Sequence, residues 1–349
     1  MRFIAIGILS PPSYFLFLVE YPTFVGIYNQ HGICKNKNVS PYKHETRRIS
    51  MTQKPFQTTS AAGLREDSLP LKLFQKAKRF GVWNPSDLDF TQDKKDWETF
   101  SEQQKEGILR LISQFQAGEE AVTRDLLPLI MTISNEGRLE EEMFLTTFLF
   151  EEAKHTEFFR IVLNELGVKR DLTEYHSDTY HKIFNEILPT AMERLVHDQS
   201  PEAVAEAATV YNMFVEGVLA ETGYYGFYQS LQNIDAMPAL LEGVGNLKRD
   251  ESRHIAYGTF LLQRIISEHP HIYDLVMKKM EELTPLAIRI NQEGSEGNTD
   301  EAKQNTMNFT QKQLSTRMQI LGRSRDKRLE EIYKQGADEV GMEEADAVH

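Results

Sequence analysis

The residues whose types and spacing could carry out chemistry are a glutamate and a histidine three positions apart, Glu152 and His155, within a run of helical apolar spacing. Residues three apart lie about one turn along an α-helix, so both side chains would project from one face and could bind one metal ion. A single pair of this kind is more often a surface pair or a structural histidine. The pair recurs, however, as Glu251 and His254. This repetition favours a metal site.

Each pair has a further glutamate upstream at a similar distance. Glu119 lies 33 residues before Glu152, and Glu216 lies 35 residues before Glu251. A turn signal rich in Gly, Asn or Pro stands near the middle of each interval. Two antiparallel helices joined at such a turn, each rising about 1.5 Å per residue, would bring both glutamates of one hairpin to the same level. The sequence therefore predicts two helical hairpins that each carry half of a site.

Two such hairpins packed face to face would place four glutamates and two histidines in the middle of a bundle. One glutamate from each of two helices, with Glu-x-x-His from each of the other two, is the ligand pattern of ferritin-like dinuclear proteins. Two divalent cations would cancel the charge of four buried carboxylates, and oxygen donors with two imidazoles favour manganese or iron. The predicted fold class is all-α, a ferritin-like four-helix bundle with additional helices.

The composition of the 349-residue chain limits the possible functions. A formal net charge of −13 argues against nucleic acid as a partner. Cys34 is the only cysteine, so the sequence offers no disulfide framework, which fits the cytoplasm. The apolar run over 3–28 is interrupted by prolines and a glutamate, whereas a membrane span needs about 20 apolar residues in succession. The sequence therefore predicts a soluble cytoplasmic protein without a membrane span.

The chain divides into four predicted regions. Residues 1–50 hold six Lys or Arg against two acids, and we expect them to lie outside the fold, with translation beginning at Met51. Residues 51–92, punctuated by prolines, are predicted to form an extended N-terminal arm. The helical domain with the dinuclear site is expected over 93–325, and the charged segment 326–349 is expected to be a flexible tail.

Helical apolar periodicity sets the elements of the central domain, and no segment of useful length has the periodicity of a strand. Proline, glycine and serine mark the expected kinks, ends and caps. The predicted helices cover 93–134 with a kink at Pro128, 138–167 ending at Gly167, 171–197 interrupted at Pro189, a helix opened by a cap at Ser200, and then 238–268, 272–293 and 305–321.

With these motifs the sequence resembles the small, radical-generating subunit of ribonucleotide reductase over roughly residues 75–325. Within that superfamily it is most similar to the ligand-binding oxidases, which pair manganese with iron. The motifs that carry the resemblance are Trp83-Asn84-Pro85 with Asp89 and Asp93, Glu152-x-x-His155, and Asp250-Glu251-x-x-His254.

Departures from the reductase pattern favour the oxidases. Glu119 stands where most reductase subunits have aspartate, and Phe159 stands one turn after the first histidine, where the radical tyrosine is expected. In the oxidases, a valine one turn after the first glutamate becomes joined to a tyrosine by an ether bond. This sequence offers Val122 and Tyr211 for that bond.

The resemblance implies an oxygen-activating oxidoreductase that carries out two-electron oxidation with one manganese and one iron ion, or with two iron ions. It also implies a long-chain fatty acid bound at the metals, dioxygen as the other reactant, and a homodimer. Asp250 would accept a hydrogen bond from His155 and fix its tautomer. The implied ligands are Glu119, Glu152 and His155 for manganese and Glu216, Glu251 and His254 for iron, with Glu152 as a bridge.

The spacing of Tyr211 and Glu216 carries a prediction of its own. The two residues are five apart, and an ideal α-helix would place them about 140° apart. A π-bulge, which is frequent at functional sites, would bring them together. We therefore expect π-helical geometry in this segment.

Two alternative functions remain open at the level of sequence. A ribonucleotide reductase small subunit without a radical tyrosine would need a catalytic partner that binds its C-terminal tail. A ferritin-like protein that binds or stores metal would form a cage and would not need Val122 and Tyr211. Copurification of a large reductase subunit, of a shell of many copies or of an acyl chain would distinguish these functions.

Overall fold

The computed structural model describes residues 63–336 and 338–340, and these residues form α-helices, shorter helical turns and loops without any β-strand among them. The predicted extension over 1–50 lies outside the described residues. The helices are α1 (Leu69–Phe80), α2 (Thr91–Thr99), α3 (Glu102–Asp125), α4 (Leu127–Glu136), α5 (Leu139–Glu165), α6 (Asp178–His181), α7 (Leu188–Arg194), α8 (Pro201–Ala208), α9 (Glu221–Leu231), α10 (Pro238–Glu268), α11 (Ile272–Gly294), α12 (Asp300–Gly322) and α13 (Leu329–Lys334).

Four helical rods position the predicted ligands. Glu119 lies on α3, Glu152 on α5 and Glu251 on α10, whereas Glu216 lies on a π-helical segment, Thr209–Ala220, that continues α8 into α9. Helix α3 packs against α5, and the π-helical segment packs against α10. The all-α, ferritin-like fold predicted from the sequence is confirmed.

The ligands form a charged layer between two apolar clusters. On α5, Phe148 belongs to one cluster and Phe159 to the other, with the ligands of that helix between them. On α10, Leu247 and Ile255 belong to the two clusters in the same way, with the second pair of ligands between them. Burial of these apolar side chains therefore stabilises the packing of the four helical segments and shields the layer from water on those two sides.

The predicted helix over 93–134 is wrong as a single element, because the structure divides this region into α2, α3 and α4. Ser101 forms a capping box with Gln104 at the start of α3. Such a cap satisfies N–H groups that a continuous helix would bond internally. Pro128 lies in the first turn of α4, so the predicted kink takes the form of a helix break. Gly137, at φ 73°, ends α4 at the predicted turn.

Several other predicted boundaries are confirmed, but α6 begins at Asp178 and not at residue 171, and α12 begins at Asp300 and not at residue 305. Gly167 has φ 71° just beyond the end of α5, Ser200 caps α8 by accepting from the backbone N–H of Ala203, and α10 covers the predicted residues. The predicted interruption at Pro189 is wrong, because the helical path continues there. The proline lies in the first turn of α7, directly after a π-helical segment over Lys182–Ile187.

The predicted extended arm over 51–92 is wrong where the structure describes it, because it contains helix α1. Pro70 lies in the first turn, where its missing N–H costs nothing. Leu69, Leu73 and Ala77 are buried, and α1 packs against α5 and α10. The four-residue spacing of these apolar residues indicated a helix, but the prolines nearby had favoured an extended arm.

The predicted flexible tail from 326 is likewise wrong for its described part. Helix α13 packs against α10 and α1, with Ile332 fully buried. The Tyr333 hydroxyl lies 3.4 Å from the carboxylate of Glu141, which ties the segment to α5. Residues 341–349 lie outside the described part of the chain. Across 63–336 and 338–340, none of the helices has both the length and the apolar character that crossing a membrane requires.

Candidate metal centre

Six buried side chains converge between the two apolar clusters. They form two overlapping groups, and within each group one ligand atom from every residue lies within 4.8 Å of the others. Two of the carboxylates belong to both groups, whereas the sequence indicated only one bridge. The first group is Glu119, Glu152, His155 and Glu251, and the second is Glu152, Glu216, Glu251 and His254.

Both histidines present the same ring nitrogen to the carboxylates. The Nδ1 atom of His155 lies 3.4 Å from Glu251 Oε1 and 3.6 Å from Glu119 Oε2. The Nδ1 atom of His254 lies 3.2 Å from Glu152 Oε1 and 3.4 Å from Glu251 Oε2. Nδ1 is therefore the atom through which each imidazole would bind a metal ion.

The opposite ring nitrogens face two further carboxylates. His155 Nε2 lies 3.3 Å from Asp250 Oδ2, as the resemblance implied, and His254 Nε2 lies 2.9 Å from Glu151 Oε2. A carboxylate that accepts from Nε2–H leaves the lone pair of Nδ1 free for a metal. The sequence reasoning missed Glu151. Its signal was available, because Glu151 and Asp250 each directly precede a ligand glutamate.

The residues present fit a dinuclear metal site. Buried polar atoms are almost always hydrogen-bonded, because an unpartnered one costs about 1–3 kcal/mol. Five atoms of this centre nevertheless have no hydrogen-bond partner among the described residues. These atoms are Glu152 Oε2, His155 Nδ1, Glu216 Oε1, Glu251 Oε2 and His254 Nδ1. They are a nitrogen and oxygen donor set of the kind that manganese and iron prefer.

Burial and charge perturb the titration of these groups strongly. Burial raises the pKa of Glu119 and of Glu216 well above the usual range, and neighbouring carboxylates contribute in the same direction. Burial also opposes ionisation of Glu152, but the nearby imidazoles of His155 and His254 outweigh it and lower its pKa. Divalent cations at this centre would compete with protons for Glu119 and Glu216.

Tyr211 lies at the edge of the centre, on the π-helical segment. The predicted π-helical geometry is confirmed, because Thr209–Ala220 includes both Tyr211 and Glu216. The fully buried hydroxyl of Tyr211 donates to Glu152 Oε1 at 3.3 Å. Burial and the nearby carboxylates raise the pKa of Tyr211 well above its usual value, so the phenol stays protonated.

Further aromatic side chains surround the ligands. Phe159 stacks on Phe115 with ring centroids 5.2 Å apart, so the position of a reductase radical tyrosine is filled by an apolar ring. The hydroxyl of Tyr224 donates to Glu251 Oε1 at 3.4 Å, and Trp83 Nε1 donates to Asp250 Oδ2 at 2.8 Å.

A cavity of about 640 Å³ leads from the ligands to the connection between α11 and α12. Near the carboxylates its wall includes Val122, Phe184 and Leu219, and near the connection it includes Arg110 and Glu296. One face of α3 lines it along its length. The lining residues of α3 are Gly107, Arg110, Leu111, Gln114, Phe115, Gly118, Glu119 and Val122. The centre is therefore open to a small or elongated molecule.

Comparisons with known proteins point to one family. The sequence model of the ribonucleotide reductase small chain matches residues 72–323. A solved R2-like ligand-binding oxidase with aerobically reconstituted Mn/Fe cofactor is 41% identical over 76% of this chain and 96% of that chain, with a TM-score of 0.71. A variant with anaerobically reconstituted Mn/Fe cofactor is 43% identical over 73% of this chain and 94% of that chain, with a TM-score of 0.71. A second variant, with aerobically reconstituted Mn/Fe cofactor, is 41% identical over 76% of this chain and 98% of that chain, with a TM-score of 0.72.

Proposed function

The chain belongs to the ribonucleotide reductase small-chain family and, within it, to the R2-like ligand-binding oxidases, and from this premise we propose that it activates dioxygen at a dinuclear Mn/Fe site. The observation that carries the proposal is the convergence of four buried carboxylates and two Nδ1 atoms beside an open cavity, with five of their atoms unpartnered. The proposed reaction is a two-electron oxidation.

The ligands have distinct roles in this proposal. When bound, the two metals supply electrons for the reduction of dioxygen. Glu152 and Glu251 belong to both groups and would hold the metals at a fixed separation. The apolar clusters shield the centre from water on two sides, and the cavity is the remaining approach. Glu119, Glu152 and His155 would hold manganese, and Glu216, Glu251 and His254 would hold iron.

The proposed ligand is a long-chain fatty acid, as in the oxidases that the sequence resembles. Its carboxylate would bind at the metals, where two cations compensate its charge. Its alkyl chain would follow the cavity wall past Phe184, Val215 and Leu219, which are apolar. A charged inner end with apolar residues beside it supports a ligand that has a carboxylate and an alkyl chain.

The centre also supports the proposed ether bond between Val122 and Tyr211. Val122 lines the cavity together with Glu119, and the hydroxyl of Tyr211 contacts Glu152. The reaction breaks the Cβ–H bond of Val122 and the O–H bond of Tyr211 and forms one C–O bond. Two protons and two electrons leave the protein, and dioxygen accepts them. The Cβ–H bond of valine is tertiary, so it is weaker than that of a methyl group.

A second candidate, a reductase small subunit without a radical tyrosine, is favoured by one hydrogen-bonded series. The Trp83 ring, Asp250 and His155 form a hydrogen-bonded series that ends at the centre. Phe159 is compatible with both candidates, because neither needs an oxidisable hydroxyl at that position. A large catalytic subunit that copurifies with the chain would favour this candidate over the oxidase.

Oxygen uptake tests the proposed function. Protein loaded anaerobically with Mn(II) and Fe(II) should consume dioxygen faster than the same metals in buffer, and the Glu152→Ala variant should not. Mass spectrometry of an organic extract should identify a long-chain acid that is absent from an extract of the buffer. Uptake no faster than that of the free metals would refute the oxidase, and the absence of any acyl molecule would refute the proposed ligand.

A further inference from the structure

A buried arginine connects the two halves of the centre. Arg253 directly precedes His254 on α10, and only 2% of its surface is exposed. Its Nη2 atom donates to Glu151 Oε1 at 2.6 Å and also contacts Asp250 Oδ1. Its Nη1 atom donates to the backbone carbonyl of Arg249 at 3.0 Å, which fixes the plane of the guanidinium. One arginine therefore contacts both carboxylates that lie behind the histidines.

These contacts complete a continuous path between the two imidazoles. Asp250, on α10, accepts from His155 of α5, whereas Glu151, on α5, accepts from His254 of α10. Each helix thus orients the histidine of the other, and Arg253 joins the two crossed pairs. The planar fork of an arginine can contact two carboxylates at once, which the single ammonium of a lysine does less well.

The two carboxylates differ in their remaining partners. Asp250 also contacts Lys154 Nζ at 2.8 Å and Trp83 Nε1 at 2.8 Å. The carboxylate of Glu151 is held by Arg253 and by His254. Loss of Arg253 would therefore remove a charged hydrogen-bond donor from each carboxylate, and Glu151 would then keep its histidine alone.

The chain packs closely over this path. A Cβ atom at Gly81 would lie 2.1 Å from Glu151 Oε1 and 3.1 Å from Arg253 Nη2, so glycine permits the approach. Lys154 Nζ donates to the carbonyl of Gly81 at 2.7 Å and holds the chain there. The path is therefore closed to water on this side.

We propose that Arg253 is a positioning residue that couples the two histidine ligands through Glu151 and Asp250, so that both metal positions depend on it. The proposal rests on the assignment of the metal ligands in the proposed function. It goes beyond that assignment because Arg253 itself would bind neither metal. Groups that orient metal ligands typically change metal affinity by about 10–100-fold when they are replaced.

Mn(II) binding tests the coupling without any turnover. Equilibrium dialysis with Mn(II) alone should show two bound ions per wild-type chain and, for Arg253→Gln, affinities about 10–100-fold lower at both positions. Crystals of each protein equilibrated with limiting Mn(II) should show the loss at both positions by anomalous scattering. Lys154→Gln should weaken the position at His155 alone, because Lys154 contacts Asp250 and Arg253 still holds Glu151.

Arg264→Gln is the matched control. Arg264 is a similarly buried arginine of α10, and it pairs with Glu141 at 3.2 Å, away from the ligands. This variant should be less stable than the wild type but should bind Mn(II) at both positions with wild-type affinity. A loss of Mn(II) affinity in Arg253→Gln but not in Arg264→Gln would therefore not be explained by a general loss of stability.

Wild-type affinity at either position in Arg253→Gln would overturn the coupling. If this variant does not fold, Arg253→Lys, which keeps the charge but not the planar fork, gives the same comparison and should also bind more weakly at both positions. These results are separable from the proposed function, because a wild type that binds two Mn(II) ions but consumes no dioxygen would refute only the oxidase. A wild type that binds no Mn(II) would overturn both proposals.

Discussion

The hydroxyl of Tyr211 donates a hydrogen bond to Glu152 Oε1 at 3.3 Å, so the phenol lies against a carboxylate that both ligand groups share. The contact depends on the π-helical geometry of Thr209–Ala220, which places Tyr211 on the same side as Glu216. A change at the metals would therefore reach this phenol directly.

Oxidation of the metal-loaded protein in air should join Val122 to Tyr211. We expect the intact mass to fall by that of two hydrogens and the two peptides to travel together after digestion, because one C–O bond replaces a C–H and an O–H bond. Tyr211→Phe should keep the metals, because all six proposed ligands remain in place, and should show no change of mass. An unmodified mass and separate peptides in the aerated wild type would contradict the prediction.

Removal of the metals should destabilise the bundle. Glu152→Ala and His254→Ala should each lower the amount of bound metal, because each variant loses one ligand. The remaining carboxylates then lose the counter-charge of the cations, which lowers the stability of the fold. Metal present at 100 times its dissociation constant should raise the free energy of unfolding of the wild type by about 2.7 kcal/mol for each occupied position. Chemical unfolding with and without a chelator measures this difference. Equal metal content in wild type and both variants would show that these residues are not ligands.

Asp125 makes the stability depend on pH independently of the centre. Burial raises the pKa of this carboxyl from 3.8 to about 6, while Arg124 acts in the opposite direction. Because the folded-state pKa is raised, its contribution to stability is fully present below pH 3.8 and is lost as the pH rises through about 6. The shift corresponds to at most about 3 kcal/mol.

Asp125→Asn should therefore have a free energy of unfolding about 1–3 kcal/mol higher than that of the wild type at pH 7.5, measured by urea unfolding. This advantage should shrink at pH 4.5. Both proteins are compared after chelation, so that metal release does not contribute. Asp274→Asn, at an exposed position of α11, is the control and should change stability by less than about 0.5 kcal/mol. A gain that is the same at both pH values would argue against titration of Asp125.

Gly118 should control access of the ligand to the centre. It lines the cavity beside Glu119, and a Cβ atom there would lie 3.5 Å from the ring of Phe184, so alanine fits but a larger side chain would fill the cavity. Gly118→Leu should keep two metals per chain but lose most of the copurified acid, whereas Gly118→Ala should retain it. Mass spectrometry of extracts at matched metal content provides the measurement. Equal acid in wild type and Gly118→Leu would place the ligand outside this cavity.

The sequence by itself determined the ligand types, the helices that carry them and the class of fold. These features follow from local rules: a spacing of three residues places Glu152 and His155 on one helical face, and Gly167 ends a helix through its own backbone conformation. The five-residue spacing of Tyr211 and Glu216 likewise predicted a π-helical segment that the structure contains.

Only the tertiary structure decided that Glu151 supports His254, whereas the resemblance had already implied the contact of Asp250 with His155. The pairing of Glu151 with His254 joins residues 103 positions apart, and the packing of α1 and α13 onto α10 joins both ends of the described chain to its centre. Periodicity and capping concern neighbours within a few residues, so they cannot show which distant side chain meets a given nitrogen. That choice depends on the packing of α5 against α10, where burial makes an unpartnered charge costly and therefore selects the partners.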